Sequence, residues 1–167
     1  MLDLFSKIST FIFDVDGVLA DTSVYVTDDG QMLRTLNMKD SYALWLAVKK
    51  GYRIWVISHG KSEGIRIHLD SQGIDEVHIG VENKKELLLQ LAATNKVTFD
   101  QMLYMGDDIP DYAAAQLCAL PCCPCDAVPE MKQVSKYISP FAGGKGCVRD
   151  VIEKVLKLNG HWETPVP

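Results

Sequence analysis

Phe11-Ile12-Phe13-Asp14-Val15-Asp16-Gly17-Val18-Leu19-Ala20-Asp21 is the stretch from which the rest of this chain is read. An apolar, β-prone run ends in two carboxylates one residue apart, and glycine follows at once. That pattern predicts a buried strand delivering paired acids to the rim of a sheet. Open α/β sheets bind their ligands at that rim. Two carboxylates so placed can converge on one cation and still do different work, one as nucleophile and one as proton donor.

Outward from this strand, expected over 9–14, the pattern alternates. Val24 to Thr27 and Gln31 to Asn37 flank Asp28-Asp29-Gly30, a hairpin signal that predicts a flap over about 22–37, with an ordinary pair of sheet strands as the alternative. Helical spacing is expected over 39–50, 62–71, 84–94, 111–117, 128–134 and 146–158, and strands over 53–57, 76–79, 101–105, 119–123 and 137–138. Strands alternating with helices imply an α/β fold: a Rossmann-like open parallel sheet with helices on both faces. Residues 1–160 read as one domain and 161–167, with two prolines, as a loose tail.

Composition narrows the function classes. The chain has 167 residues, 47% of them hydrophobic, which suits a single domain with a proper core. A net charge of −5 with no Lys/Arg-rich run argues against a nucleic-acid partner. No apolar stretch is long enough to span a bilayer, and Met1 to Thr10 lacks a signal-peptide pattern, so a cytoplasmic location is expected. The cysteines are odd in number, five, and Cys118, Cys122, Cys123 and Cys125 crowd together without the spacing of paired zinc knuckles. They read as reduced, small hydrophobic side chains rather than as a zinc site.

Further polar groups follow the other strands. Ser58 ends the strand over 53–57, Lys84 opens a helix after Gly80-Val81-Glu82-Asn83, and Gly106-Asp107-Asp108-Ile109-Pro110-Asp111 follows the apolar run 101–105. Acids clustered just past a buried strand repel one another and cost stability unless a cation or strong donors offset them. In this order, Asp14-Val15-Asp16-Gly17-Val18, Ser58, Lys84 and the GDDxxD run resemble the four motifs of the haloacid dehalogenase superfamily of phosphotransferases.

The resemblance implies roles. Asp14 would be the nucleophile and Asp16 the acid and base. Ser58 would hydrogen-bond a phosphate oxygen, and Lys84, or its neighbour Lys85, would hold nucleophile and phosphate together. Mg²⁺ would be bound by Asp14, Asp107 and Asp16, the last through its backbone carbonyl, with Asp108 as a further ligand and Asp111 as support for Lys84 or the loop. A short chain with a hairpin after the first motif, no cap domain and a late Gly143-Gly144-Lys145-Gly146 is similar to the 3-deoxy-D-manno-octulosonate 8-phosphate phosphatase family. That likeness implies a Mg-dependent phosphatase acting on a phosphorylated sugar acid, in a homotetramer whose hairpins roof neighbouring active sites. A nonulosonate 9-phosphate or another small phosphoester is the alternative substrate.

Other positions stay open. Lys39-Asp40 would meet substrate hydroxyls or another subunit, or form a plain helix N-terminal pair. Lys145 and Arg149 would reach a substrate carboxylate, or belong to a loop leading into a helix. Ser58-His59-Gly60-Lys61 departs from the Thr-Gly-Arg-Ser usual in relatives: His59 replaces glycine and Gly60 replaces arginine. Lys61 keeps a charge nearby but lacks a bidentate fork. A receiver domain of a signalling system would also use acids, a hydroxyl and a lysine around Mg²⁺, but its acceptor follows a middle strand, whereas here paired acids occur twice.

Overall fold

The computed structural model describes residues 1–74 and 76–162. In chain order the helices are α1 (Leu2–Ser6), α2 (Met38–Lys49), α3 (Glu63–Ser71), α4 (Lys84–Asn95), α5 (Ile109–Ala115), α6 (Pro129–Val134) and α7 (Cys147–Leu158). The strands are β1 (Thr10–Phe13), β2 (Tyr25–Val26), β3 (Met32–Leu33), β4 (Arg53–Ile57), β5 (Glu76–His78), β6 (Met102–Met105), β7 (Leu120–Cys123) and β8 (Tyr137–Ile138). A six-stranded sheet has the order β5-β4-β1-β6-β7-β8, with every neighbouring pair parallel. The α/β, Rossmann-like architecture expected from the alternation is therefore the one formed.

The strands are apolar on both faces because helices cover both. Phe11 and Phe13 of β1, Ile54 and Val56 of β4, and Leu103 and Met105 of β6 pack with the buried stripe of α7 and with Ala43, Leu44 and Ala47 of α2. The residues between them, Ile12, Trp55, Ile57 and Tyr104, face Leu88 and Leu91 of α4 and Ala114 and Ala115 of α5. The chain first winds outward from β1 to β4 and β5, then returns to β6 on the other side of β1. This makes the carboxyl ends of β1 and β6 a topological switch point, where a crevice opens.

Three local outcomes differ from the expectation. Helix α1 was not legible, because five residues are too few for periodicity and the helix relies on burial of Phe5. Helix α5 begins at Ile109, not at 111, because Asp108 is its N-cap: its side chain accepts a hydrogen bond from Ile109 N at 2.7 Å. The flap strands are only two residues each and form a sheet of their own, so the reading of them as ordinary strands of the main sheet is overturned. An antiparallel bridge between Ala20 and Leu36 closes the base of the flap.

Cys122 lies in the core on one face of the sheet, and Cys118 and Cys123 in the core on the other. Their side chains therefore act as apolar filling on opposite sides of β7. At the C-terminal end, His161 and Trp162 are not loose. The His161 imidazole meets the Tyr52 hydroxyl at 2.9 Å, and Trp162 packs edge-on to Tyr42 with the Arg149 guanidinium over its ring. The rest of the expected tail, 163–167, lies outside the described residues.

Candidate active site

Asp14 follows β1 and Asp107 follows β6, so two neighbouring strands place both acids at the switch point. Carboxylate oxygens of Asp14, Asp107 and Asp111 all lie within 4.8 Å of one another. Gly17 permits this approach. Its φ of +80° is in the left-handed region, and a Cβ there would fall 2.0 Å from Asp107 Oδ2. Lys84, at the start of α4, sends Nζ between Asp14 Oδ1 at 2.9 Å and Asp111 Oδ1 at 2.7 Å.

Asp111 is the buried hub of this group. Its Oδ1 also accepts from the Tyr104 hydroxyl at 2.7 Å, and its Oδ2 accepts from Asp107 N at 3.2 Å. Both its oxygens are committed to donors: Lys84 and Tyr104 on one, the Asp107 backbone on the other. Asp14 is different. Its Oδ1 takes both the Val15 N–H, at 2.6 Å, and Lys84, and among the described residues no donor meets Oδ2.

The electrostatics call for a cation. The carboxylates of Asp14, Asp107 and Asp111 cluster beside one ammonium, Lys84. Burial, and then Asp111, push the Asp14 carboxyl well above its ordinary range, against the pull of Lys84. Burial, with Asp111 and Asp108 beside it, pushes Asp107 up to about 7. Burial alone would lower Lys84, but Asp14 and Asp111 outweigh it and hold the ammonium above its usual value. Net negative charge, hard oxygen donors and oxygens still free on Asp14 and Asp107 fit a small divalent cation such as Mg²⁺.

The cavity over these acids has a volume of about 370 Å³ and is lined by Asp16, His59, Asp108 and Asp126 among others. Ser58 is buried beneath its edge, where its Oγ accepts from Gly60 N at 3.1 Å. The His59 ring nitrogen Nδ1 sits 3.1 Å from the Val81 carbonyl, and the stem of Lys61 lies across Gly80. Asp108 combines its capping role with a place at the cavity wall.

Other expected site residues are elsewhere. Asp40 is almost fully buried, and its Oδ1 accepts from Arg149 N at 2.7 Å, so it caps the first turn of α7 and does not meet a ligand in the cavity. Burial raises its carboxyl to about 6, with the backbone donors opposing. Lys39 and Lys145 line a separate cleft of about 630 Å³ along α7, and Lys145 pairs with Asp21 at 2.9 Å. Neither lines the cavity over the Asp14 group.

Arg34 was missed. It reaches from the flap and grips Asp16 with both ends of its fork, Nε to Oδ1 at 2.6 Å and Nη2 to Oδ2 at 3.0 Å. A lone arginine just after a flap strand gives no sequence signal; the clue was Gly60, whose missing side chain leaves the space that the guanidinium occupies. Tyr104 was also missed, since in sequence it is one more apolar residue of a buried strand.

Comparison with known proteins comes to the same place. No family model matches the chain. A 3-deoxy-D-manno-octulosonate 8-phosphate phosphatase, KdsC, of Escherichia coli is 28% identical over 157 residues, 94% of this chain and 84% of that protein. A solved haloacid dehalogenase superfamily (subfamily III A) hydrolase from Legionella pneumophila superposes with a TM-score of 0.92 at 26% identity, covering 95% of this chain and 87% of that one. The 3-deoxy-D-manno-octulosonate 8-phosphate phosphatase of Moraxella catarrhalis, solved with a magnesium ion, a phosphate ion and a KDO molecule, gives a TM-score of 0.90 at 25% identity, over 94% of this chain and 90% of that one.

Proposed function

This chain is a haloacid dehalogenase superfamily protein that resembles the 3-deoxy-D-manno-octulosonate 8-phosphate phosphatase family along nearly its whole length, and from that premise we propose that it hydrolyses a phosphorylated sugar acid, 3-deoxy-D-manno-octulosonate 8-phosphate, by way of an aspartyl phosphate. It is a phosphoric monoester hydrolase that uses Mg²⁺. The observation that carries the reading is the meeting of Asp14, Asp107 and Lys84 at the carboxyl ends of β1 and β6.

The chemistry required is severe, since enzymatic hydrolysis of phosphate monoesters accelerates the reaction by up to about 10²¹-fold. Asp14 presents Oδ2 to phosphorus while Lys84 holds Oδ1 in place, so attack starts from a fixed carboxylate. Phosphoryl oxygens settle against Lys84 and the Ser58 hydroxyl, which stabilise the charge spread over them. Asp16, the other acid of the first loop, gives a proton to the departing alkoxide and later takes one from the water that cleaves the aspartyl phosphate. Mg²⁺ held by Asp14, Asp107 and the Asp16 backbone carbonyl would offset the repulsion between an anionic nucleophile and a dianionic ester.

Assembly belongs to the same reading. Tyr25, Val26, Met32 and Leu33 make up the flap strands, and all are exposed. An apolar hairpin that no described residue of its own chain covers suits burial against neighbouring copies, in a homotetramer whose hairpins roof neighbouring active sites. A cytoplasmic location is supported by the free state of Cys118, Cys122, Cys123, Cys125 and Cys147. No helix among the described residues is long and apolar enough to cross a membrane.

The test is phosphate release from a panel of sugar-acid phosphates, including 3-deoxy-octulosonate 8-phosphate and a nonulosonate 9-phosphate, with and without Mg²⁺. Asp14→Asn should lower turnover at least about 10³-fold, because it removes the carboxylate that Lys84 holds for attack. Full Mg-dependent hydrolysis by that variant would falsify the aspartyl-phosphate route. Stoichiometric self-phosphorylation without turnover would point instead to a receiver domain.

A further inference from the structure

We propose that Arg34 is the residue that binds the carboxylate of the sugar-acid substrate, and that in the free chain the Asp16 carboxylate occupies its fork in the substrate's place. The inference rests on the phosphatase reading above and adds to it the group that selects an acid over a neutral sugar.

The first argument is chemical. A guanidinium matches a carboxylate bidentately, and Arg34 makes that fork-to-carboxylate contact at the cavity wall. The second is steric. A Cβ on Gly60 would fall 3.0 Å from Asp16 Oδ2 and 3.2 Å from Arg34 Nη2, so the bare backbone at 60 is what admits the head group. The side chain of Arg34 is only 9% exposed, although it follows directly on the exposed strand β3.

The third argument is that the resting pair has to open. Both Asp16 oxygens are occupied by Arg34, yet Asp16 must address a leaving oxygen and then a water. The guanidinium therefore has to leave at least one of them during each cycle, and a buried cation released from one anion needs another. The flap base is held by the Ala20–Leu36 bridge, so the displaced head group stays tethered over the cavity mouth. A substrate carboxylate arriving with the phosphate end on Asp14 supplies the exchange partner. Of the neighbouring candidates, the His59 ring lies against the Val81 carbonyl, and Lys61, whose stem lies along Gly80, ends in an ammonium without a bidentate fork.

The experiment compares wild type, Arg34→Ala and Arg34→Lys on 3-deoxy-D-manno-octulosonate 8-phosphate and on D-arabinose 5-phosphate, a sugar phosphate without a carboxylate. The readout is the ratio of the two kcat/KM values. Loss of the fork should reduce that ratio about 30- to 100-fold in Arg34→Ala, through KM for the acid, with Arg34→Lys recovering only part of it. Gly60→Val, which fills the space while keeping Arg34, should lower the ratio in the same direction. An unchanged ratio in Arg34→Ala, or an equal fall in kcat on both esters, would overturn the proposal and leave Arg34 as a partner of Asp16 alone. If wild type cleaves neither ester, the phosphatase reading fails separately, and calorimetric titration with 3-deoxy-D-manno-octulosonate decides the question. Binding by wild type that is lost in Arg34→Ala supports the carboxylate role; equal binding, or none to either, refutes it.

Discussion

Replacing Tyr104 with phenylalanine removes one oxygen from the most enclosed part of the site. The hydroxyl is fully buried and donates to Asp111 Oδ1 at 2.7 Å, the oxygen that also holds Lys84. A hydrogen bond to a charged acceptor contributes about 1.5–3 kcal/mol, and phenylalanine leaves no unpaired donor behind, which favours the lower half of that range. A loss of about 2 kcal/mol at roughly 2–4 °C per kcal/mol for a chain of this size gives a melting point lower by about 4–8 °C. Burial and the nearby Asp111 and Asp14 hold the phenol well above its ordinary value, so it stays protonated across the working range and the loss should not vary between pH 6 and 9. Urea unfolding in EDTA at several pH values measures it. A change below about 0.5 kcal/mol, or one that tracks pH, refutes the view of Asp111 as a hub held by Tyr104.

Further expectations concern the metal, the loop and the flap. In EDTA, Asp107 has a folded-state value of about 7 against an ordinary 3.8, so the folded protein binds the extra proton between those limits. Stability of the metal-free protein should therefore fall as pH rises from about 4 to 7, and Asp107→Asn should flatten that slope; an unchanged slope in the variant is the contrary result. Gly17→Ala should weaken Mg²⁺ binding at least about tenfold, measured by calorimetry, because the new methyl and Asp107 cannot share the same space at a φ of +80°. Val26→Lys together with Leu33→Glu should convert the assembly to monomers in sedimentation while leaving the melting of the isolated chain within about 0.5 kcal/mol, since both positions are exposed.

The parts of this protein that could be read in advance are those where chemistry sits at the end of a covalently local pattern. Asp14 and Asp16 follow an apolar run, Asp107 to Asp111 follow another, and Lys84 stands one residue after its cap Asn83, so strand order alone carries them to one rim. Arg34 could not be read this way, because its partner Asp16 is brought near by how the flap folds back and not by spacing. Asp40 misled for the opposite reason. A charge in the first turn of a helix normally faces water, but here α7 packs over α2, and Asp40 Oδ1 accepts from that helix's backbone. Tyr104 was hidden because burial of an aromatic side chain says nothing about where its hydroxyl ends.

The switch-point arrangement also bears on how the protein is made. Strand β1 is made before its neighbour β6 and before the helix α7 that covers one face. A growing chain therefore carries Asp14 before Lys84, Asp107 and helix α7 have been made. Phosphoryl transfer cannot begin on the ribosome before the central β1–β6 pair has zipped, so the onset of turnover during cell-free synthesis would serve as a clock for completion of the sheet.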